Sequence, residues 1–227
     1  MQVGGRWIGV LAVGLLGACA SPPPAADPEG WHAVLLPGKS ATQYSRADKD
    51  GRPALRALSD RSASMWRRRV NLPPDRVGEV SFSWWVPQAL ADASVADIDR
   101  EDAAVRVIFA FDGDHARLPL RQRAMFDLAE ALTGERPPYA TLMYVFDTRS
   151  PAGSVVVNPR TDRVRKIVLD GDAAAIGRWR DHRRDLAADY RRAFGEDPGP
   201  LIAVGVMTDT DNTAGRAEAW YGPIRFH

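Results

Sequence analysis

The chain has 227 residues, 45% hydrophobic and 26% charged, which supplies a packed core and excludes a chain too polar to fold. Its 30 basic residues face 29 acidic ones, a balance that argues against a nucleic-acid binder driven by global charge. With one cysteine, no disulfide can staple the fold from within.

The N-terminal stretch is built like an export signal. Arg6 supplies a positive start, and Trp7 to Leu16 is an apolar run too short to cross a bilayer as a stable helix. Leu16-Gly17-Ala18-Cys19 resembles the lipobox of bacterial lipoproteins, in which the cysteine becomes the acylated N-terminus. Residues 1–18 are therefore expected to be a lipoprotein signal peptide, with Cys19 as the lipidation site. Residues 19–30, with Pro22, Pro23, Pro24 and Pro28, are expected to be a tether, and residues 31–227 a single β-sandwich domain. Acyl chains would hold the domain on a membrane without a spanning helix. Ala20 after the cysteine favours the outer membrane, facing the periplasm. Removal of Arg6 leaves 29 basic and 29 acidic residues. Of the basic residues in the whole chain 27 are arginine, a bias that fits a GC-rich genome and carries little functional weight.

In chain order, Trp31 to Leu36 is the first strand expected, followed by a Pro37-Gly38 turn and a short strand over Lys39 to Arg46. Asp48-Lys49-Asp50-Gly51 signals a turn. Leu55 to Ser59 and Ser62 to Val70 follow as strands. In Val80 to Val86, the residues Phe82, Trp84 and Val86 face one way and Ser81, Ser83 and Trp85 the other. Gln88 to Asp102 is expected to be a loop. In Ala104 to Phe111, one face holds Val105, Val107, Phe109 and Phe111, the other Arg106, Ile108 and Ala110. Leu120 to Thr133 is expected to be a helix with Met125, Leu128, Ala129 and Leu132 on its buried stripe and Gly134 at its stop. Strands are expected over Thr141 to Phe146, Ser154 to Asn158 and Arg163 to Leu169. Ile176 to Phe194 has an apolar stripe of Ile176, Trp179, Leu186, Tyr190 and Phe194, which predicts an amphipathic helix ending at Gly195. Its opposite face, with Arg180, Arg184 and Arg191 alongside Asp181, Asp185 and Asp189, is expected to be solvated. Leu201 to Met207 and Ala217 to Phe226 are the closing core strands, joined by the acidic turn Thr208 to Thr213. In the second of them Trp220, Gly222, Ile224 and Phe226 are expected to form the buried face. Many strands and only two helices predict an all-β, jelly-roll-like β-sandwich with two helical insertions.

The second half carries longer runs: Pro138-Tyr139-Ala140-Thr141-Leu142-Met143-Tyr144-Val145-Phe146-Asp147, Asn158-Pro159, Val164 to Leu169, Arg184-Asp185-Leu186, Arg192 to Glu196 and Met207 to Thr213. With Ala103 to Asp114, these resemble the bacterial family known as domain of unknown function 3047, over roughly Trp31 to the C-terminus. The resemblance implies a secreted or periplasmic jelly-roll sandwich similar to carbohydrate-binding modules, and it transfers no catalytic residues.

Several motifs fail on their chemistry. Pro37-Gly38-Lys39-Ser40 is not a phosphate loop, because Ala33 stands where the first glycine is needed and Pro37 lacks an N–H. Loops starting at Asp112 and Asp209 are not EF-hands, because Arg123 and Trp220 occupy the twelfth position. His32, His115, His182 and His227 show no zinc-ligand spacing, and no Gly-x-Ser-x-Gly elbow occurs.

What remains is a set of ligand-binding candidates at the sandwich rim. Acids and amides are Asp112, Asp114, Asp147, Asp209, Asp211 and Asn212. The cation is Arg106, and the aromatic residues are Trp85, Tyr139, Tyr144 and Tyr221. Sugar rings stack on aromatic faces while Asp, Asn and Arg bond the hydroxyls. The expected function is non-catalytic binding of a glycan or other polar ligand, with no nucleic-acid partner. One alternative is a glycan hydrolase using two of Glu101, Asp102, Asp112, Asp114, Asp147, Asp209 and Asp211. Another is a structural component of an envelope complex. Calcium is the one cofactor considered, held by Asp112, Asp114, Asp209 and Asp211 if the two acidic loops meet at one mouth.

Overall fold

The computed structural model describes residues 27 and 29–227; the expected signal peptide, Cys19 and most of the tether lie outside the described residues. The first strands are β1 (His32–Leu35), β2 (Gln43–Lys49), β3 (Arg52–Asp60) and β4 (Ser64–Leu72). Asp50 and Gly51 adopt φ of 53° and 75°, the left-handed pair that a two-residue hairpin turn requires, and Lys49 faces Arg52 across it. The strand expected over Lys39 to Arg46 thus begins later and runs into the predicted turn.

The middle of the chain supplies β5 (Glu79–Trp85), β6 (Ala103–Phe111), helix α1 (Leu120–Thr133), β7 (Ala140–Phe146), β8 (Val155–Val157), β9 (Val164–Asp170) and β10 (Trp179–Asp185). Helix α2 (Leu186–Phe194), β11 (Leu201–Asp209), β12 (Arg216–Tyr221) and β13 (Arg225–Phe226) complete it. One sheet has seven strands in the order β1-β4-β11-β6-β7-β9-β8. The other has six, ordered β10-β5-β12-β3-β2, with β13 also paired to β5. The β7–β9 pair is parallel and the remaining pairs are antiparallel. The protein is an all-β, jelly-roll-like β-sandwich carrying two α-helices among the described residues.

The core lies between the sheets, where period-two faces meet. Val105, Val107, Phe109 and Phe111 of β6 are buried there with Leu142 and Tyr144 of β7. Phe82 and Trp84 of β5 come from the other sheet, and Phe82 stacks on Tyr144 at 5.2 Å between ring centroids. Burying side chains of this size contributes about 1.5–3 kcal/mol each. Outside the seven-stranded sheet lies the loop expected over Gln88 to Asp102, which starts two residues earlier because β5 ends at Trp85. It lies over the face of β6 that carries Arg106, and Val95 joins Val145 and Val168 in a second apolar cluster there.

Three expectations are overturned. First, Trp179 to Asp185 is strand, not helix, and pairs with β5 from Trp179 opposite Trp85 to Asp185 opposite Glu79. The ladder to β5 outweighs local helix preference, and the helix starts where the Asp185 carboxylate accepts the Ala188 N–H at 2.9 Å. Arg180 and Arg184 then alternate toward the sheet edge rather than forming a solvated helix face. Arg180 Nε donates to buried Asp170 at 3.0 Å, and Arg184 grips buried Asp189 through two hydrogen bonds of 2.8 and 2.7 Å. Inward charges on an edge strand also discourage pairing with other chains.

Second, α1 ends at Gly134 in the left-handed conformation as expected, but its predicted stripe faces outward. Phe126 is the buried contact, edge-on to His115, while Leu128 and Leu132 are 60% and 74% exposed. Third, β12 buries Ala217, Ala219 and Tyr221, so Trp220 lies on the outer face. The chain leaves the ladder at Gly222, and Ile224 and Phe226 rejoin the core afterwards.

Candidate functional site

The two acidic loops do not meet. In the register of β6 against β11, Asp209 faces Ala103 while Leu201 faces Phe111, and the Asp112 N–H donates to Pro200 O at 2.8 Å. The loops therefore sit at opposite ends of one strand, roughly 27 Å apart at about 3.4 Å per residue. A calcium site built jointly from Asp112, Asp114, Asp209 and Asp211 is not assembled. Asp112 and Asp114 act locally, accepting the Gly113 and Ala116 N–H groups at 2.8 and 3.0 Å.

At the other end the acids form a buried clasp. Arg106 donates from Nε and Nη2 to Asp209 at 2.8 and 2.9 Å and from Nη2 to Glu101 O at 2.8 Å. Lys166 Nζ lies 2.6 Å from Glu101 Oε1 and donates to Val95 O at 2.6 Å, while Arg160 reaches Glu101 at 2.9 Å. Asp102 accepts the N–H groups of Asn212 and Thr213 at 3.1 and 2.7 Å. Carboxylate oxygens of Asp102, Asp209 and Asp211 lie within 4.8 Å of one another. Their lone pairs are nevertheless committed to these donors and, for Asp211, to Lys39. Burial pushes the Asp209 carboxyl up to about 6, against the pull of Arg106. Burial and Arg106 together lower the Lys166 ammonium to about 8. The clasp pins the acidic turn and the 86–102 loop to the sheet.

The remaining candidates are scattered. Asp147 is buried and accepts the Ser150 N–H at 3.0 Å. Tyr144 lies in the core and donates to Asp189 at 2.7 Å. The Tyr139 ring lies beneath Arg163 at 4.1 Å and its hydroxyl reaches Glu196 at 3.3 Å. Asn212 Nδ2 donates to Ile98 O at 3.3 Å. Trp85 meets Trp220 edge-on at 5.0 Å on the outer face, and Lys49 Nζ stands 3.9 Å over its ring, so that face is already covered. Tyr221, whose hydroxyl donates to Met207 O at 2.6 Å, is the one candidate that borders a groove between the two sheets.

The groove, of about 570 Å³, lies where the sandwich stands open, between β1–β4 of one sheet and β2–β3 of the other. Leu55, Val206 and Ile224 give it an apolar floor. Trp31, Tyr44 and Trp66 form its walls, and Asp27, Glu29, Arg46 and Arg68 its charged margin. The walls follow from strand period. Trp66 and Arg68 are two residues apart on β4 and share its inner face, with Val206 of β11 opposite Trp66. Trp31 directly precedes β1, whose His32 pairs with Arg67, so the Trp31 ring lands 5.4 Å from the Arg68 guanidinium. Tyr44 donates to Ser64 O at 2.6 Å, which fixes its ring 5.8 Å from Trp66 at an interplanar angle of 30°. Burial raises the Tyr44 hydroxyl well above the usual tyrosine range. Pro53 and Ala54 line the hairpin end with little bulk, which leaves the gap unfilled. Of these residues only Tyr221 was anticipated. The available signal was the Trp66-x-Arg68 alternation, which puts a cation and an indole on one inward face.

No curated protein matches the chain. Two family 11 carbohydrate-binding modules from Clostridium thermocellum are similar in structure. One, in complex with a β-1,3-1,4-mixed-linked tetrasaccharide, has 8% identity and a TM-score of 0.41, covering 86% of each chain. The other, from the cellulosomal cellulase Lic26A-Cel5E, has 9% identity and a TM-score of 0.38, covering 86% of this chain and 85% of that one. The xyloglucanase domain of NopAA, a type three effector from Sinorhizobium fredii in complex with cellobiose, has 8% identity and a TM-score of 0.41. That match covers 86% of this chain and 94% of the effector domain. Likenesses this distant carry no argument about ligand. The family model described as protein of unknown function (DUF3047) matches residues 29–225, and the chain belongs to that family.

Proposed function

We propose that the protein binds a saccharide in the groove between β1–β4 and β2–β3, without transforming it, and does so at the cell envelope through acyl chains on Cys19. The observation that carries this is the pairing of three aromatic walls with a charged margin in one open groove. Pyranose rings present C–H faces that pack on indole and phenol rings, while their hydroxyls need donors and acceptors at the edges. A groove of about 570 Å³ suits an oligosaccharide of a few sugars and leaves the chain free to extend into solvent. Support for holding rather than reacting comes from Glu101, Asp102, Asp147 and Asp209, which are buried and hydrogen-bonded within the protein. Titration calorimetry against a panel of envelope saccharides tests the reading. Binding that is lost in Trp31→Ala and Trp66→Ala supports it, and silence across the panel overturns it.

A further inference from the structure

Among the described residues, one cation of the groove forms no ion pair. Arg68 projects from the inner face of β4 into the groove, its guanidinium 5.4 Å from the Trp31 ring. Its Nε is buried and makes no hydrogen bond among the described residues. No carboxylate pairs with it there either, and residues 1–26 and 28 contain no Asp or Glu that could do so. Its neighbours differ. Arg67 and Arg69 project from the other face of β4 and both pair with Glu135, while Arg46 pairs with Asp27 at the groove mouth.

A half-buried guanidinium without an acid is costly, and an anion that arrives with a ligand offsets that cost. Arginine's planar fork matches a carboxylate, and stacking on Trp31 orients the fork while leaving its edge free. Resting on the saccharide reading above, we propose that the groove selects acidic saccharides, with the carboxylate of a uronic acid residue held by Arg68 and its sugar ring packed against Trp31 and Trp66. Arg68 is the specificity-determining residue; the aromatic walls serve neutral and acidic sugars alike.

The test is titration of the full domain with uronate oligosaccharides, each paired with its methyl ester, at low and moderate salt. The ester keeps the backbone of the sugar chain and removes the charge. The expected result is at least 10-fold tighter binding of the acid form, narrowing as salt rises. In Arg68→Gln the ratio should collapse to near one, chiefly through lost affinity for the acid form. Arg68→Lys should retain part of the preference, and Arg69→Gln all of it. Thermal melts of each variant confirm that the fold persists. Equal binding of acid and ester by the parent protein overturns the role of Arg68 and leaves the saccharide reading standing. Absence of binding to every acid and ester overturns the acidic-saccharide proposal, and the saccharide reading falls with it only if the wider panel is silent too. Binding only to phosphatidylglycerol vesicles assigns the cation to a lipid headgroup and also overturns both.

Discussion

Replacing Arg106 by methionine should cost the domain about 3–5 kcal/mol at pH 8 and much less at pH 5. The guanidinium gives Asp209 two hydrogen bonds of 2.8 and 2.9 Å, and both side chains are almost fully buried. Methionine roughly fills the volume but leaves Asp209 with one donor, the Ala103 N–H at 3.1 Å. The pH dependence has a definite sign. Burial raises the Asp209 carboxyl to about 6, above the value of about 3.9 in an unfolded chain. The folded state therefore binds the extra proton, and this group's contribution falls as pH climbs from about 4 to 6, by about 3 kcal/mol. Without Arg106 the folded value climbs further, so the loss continues above pH 6. The gap between variant and parent should widen steadily from pH 5 to pH 8 in urea unfolding followed by tryptophan fluorescence. Adding Asp209→Leu removes the stranded charge and should restore most of the loss. A gap below about 1 kcal/mol at pH 8, or one independent of pH, would refute the assignment of Arg106 as the counter-charge of the clasp.

Other perturbations probe local geometry. A Cβ at Gly171 would collide with the Asp147 carbonyl oxygen and lie 2.9 Å from its carbon. Gly171→Ala should lose about 2–3 kcal/mol, and an unchanged melting midpoint would contradict that close approach. Asp185→Ala removes the N-cap of α2 and should cost about 1 kcal/mol in denaturant. The same substitution would be neutral if residues 176–194 formed one continuous helix, so it also tests the strand assignment. Lys49→Ala strips the cation lying 3.9 Å over Trp85 and 5.2 Å from Trp220, which should cost about 0.5–1 kcal/mol and alter tryptophan emission. Identical emission and stability would mean the hairpin does not clamp that surface.

Most strands were legible because their buried faces alternate. Phe82, Trp84 and Val86 lie inward as their spacing demands, and so do Val105, Val107, Phe109 and Phe111. The failures have physical causes. Ile176 to Phe194 satisfies a helical period in its apolar residues, and only pairing with β5, a long-range contact, makes Trp179 to Asp185 a strand. The α1 stripe was real as a pattern, yet a stripe reports a face and not what lies against it. Arg106 was recognised as important, but as a rim residue. Its burial depends on the 86–102 loop folding over it, which no local spacing reveals. Tyr44 and Trp66 come from β2 and β4 and Trp31 from the residue before β1, and their convergence is a property of sheet order alone.

Strands β1–β4 and strands β5–β10 share no ladder among the described residues; β11 joins them in one sheet and β12 in the other. Each bridging strand comes from the last 27 residues, Leu201 to His227. Neither sheet is continuous without that segment, so removing it would leave separate groups of strands among the described residues. The groove borrows Val206, Tyr221 and Ile224 from that same segment. Removing that segment would therefore strip the groove of most of its floor as well as parting both sheets.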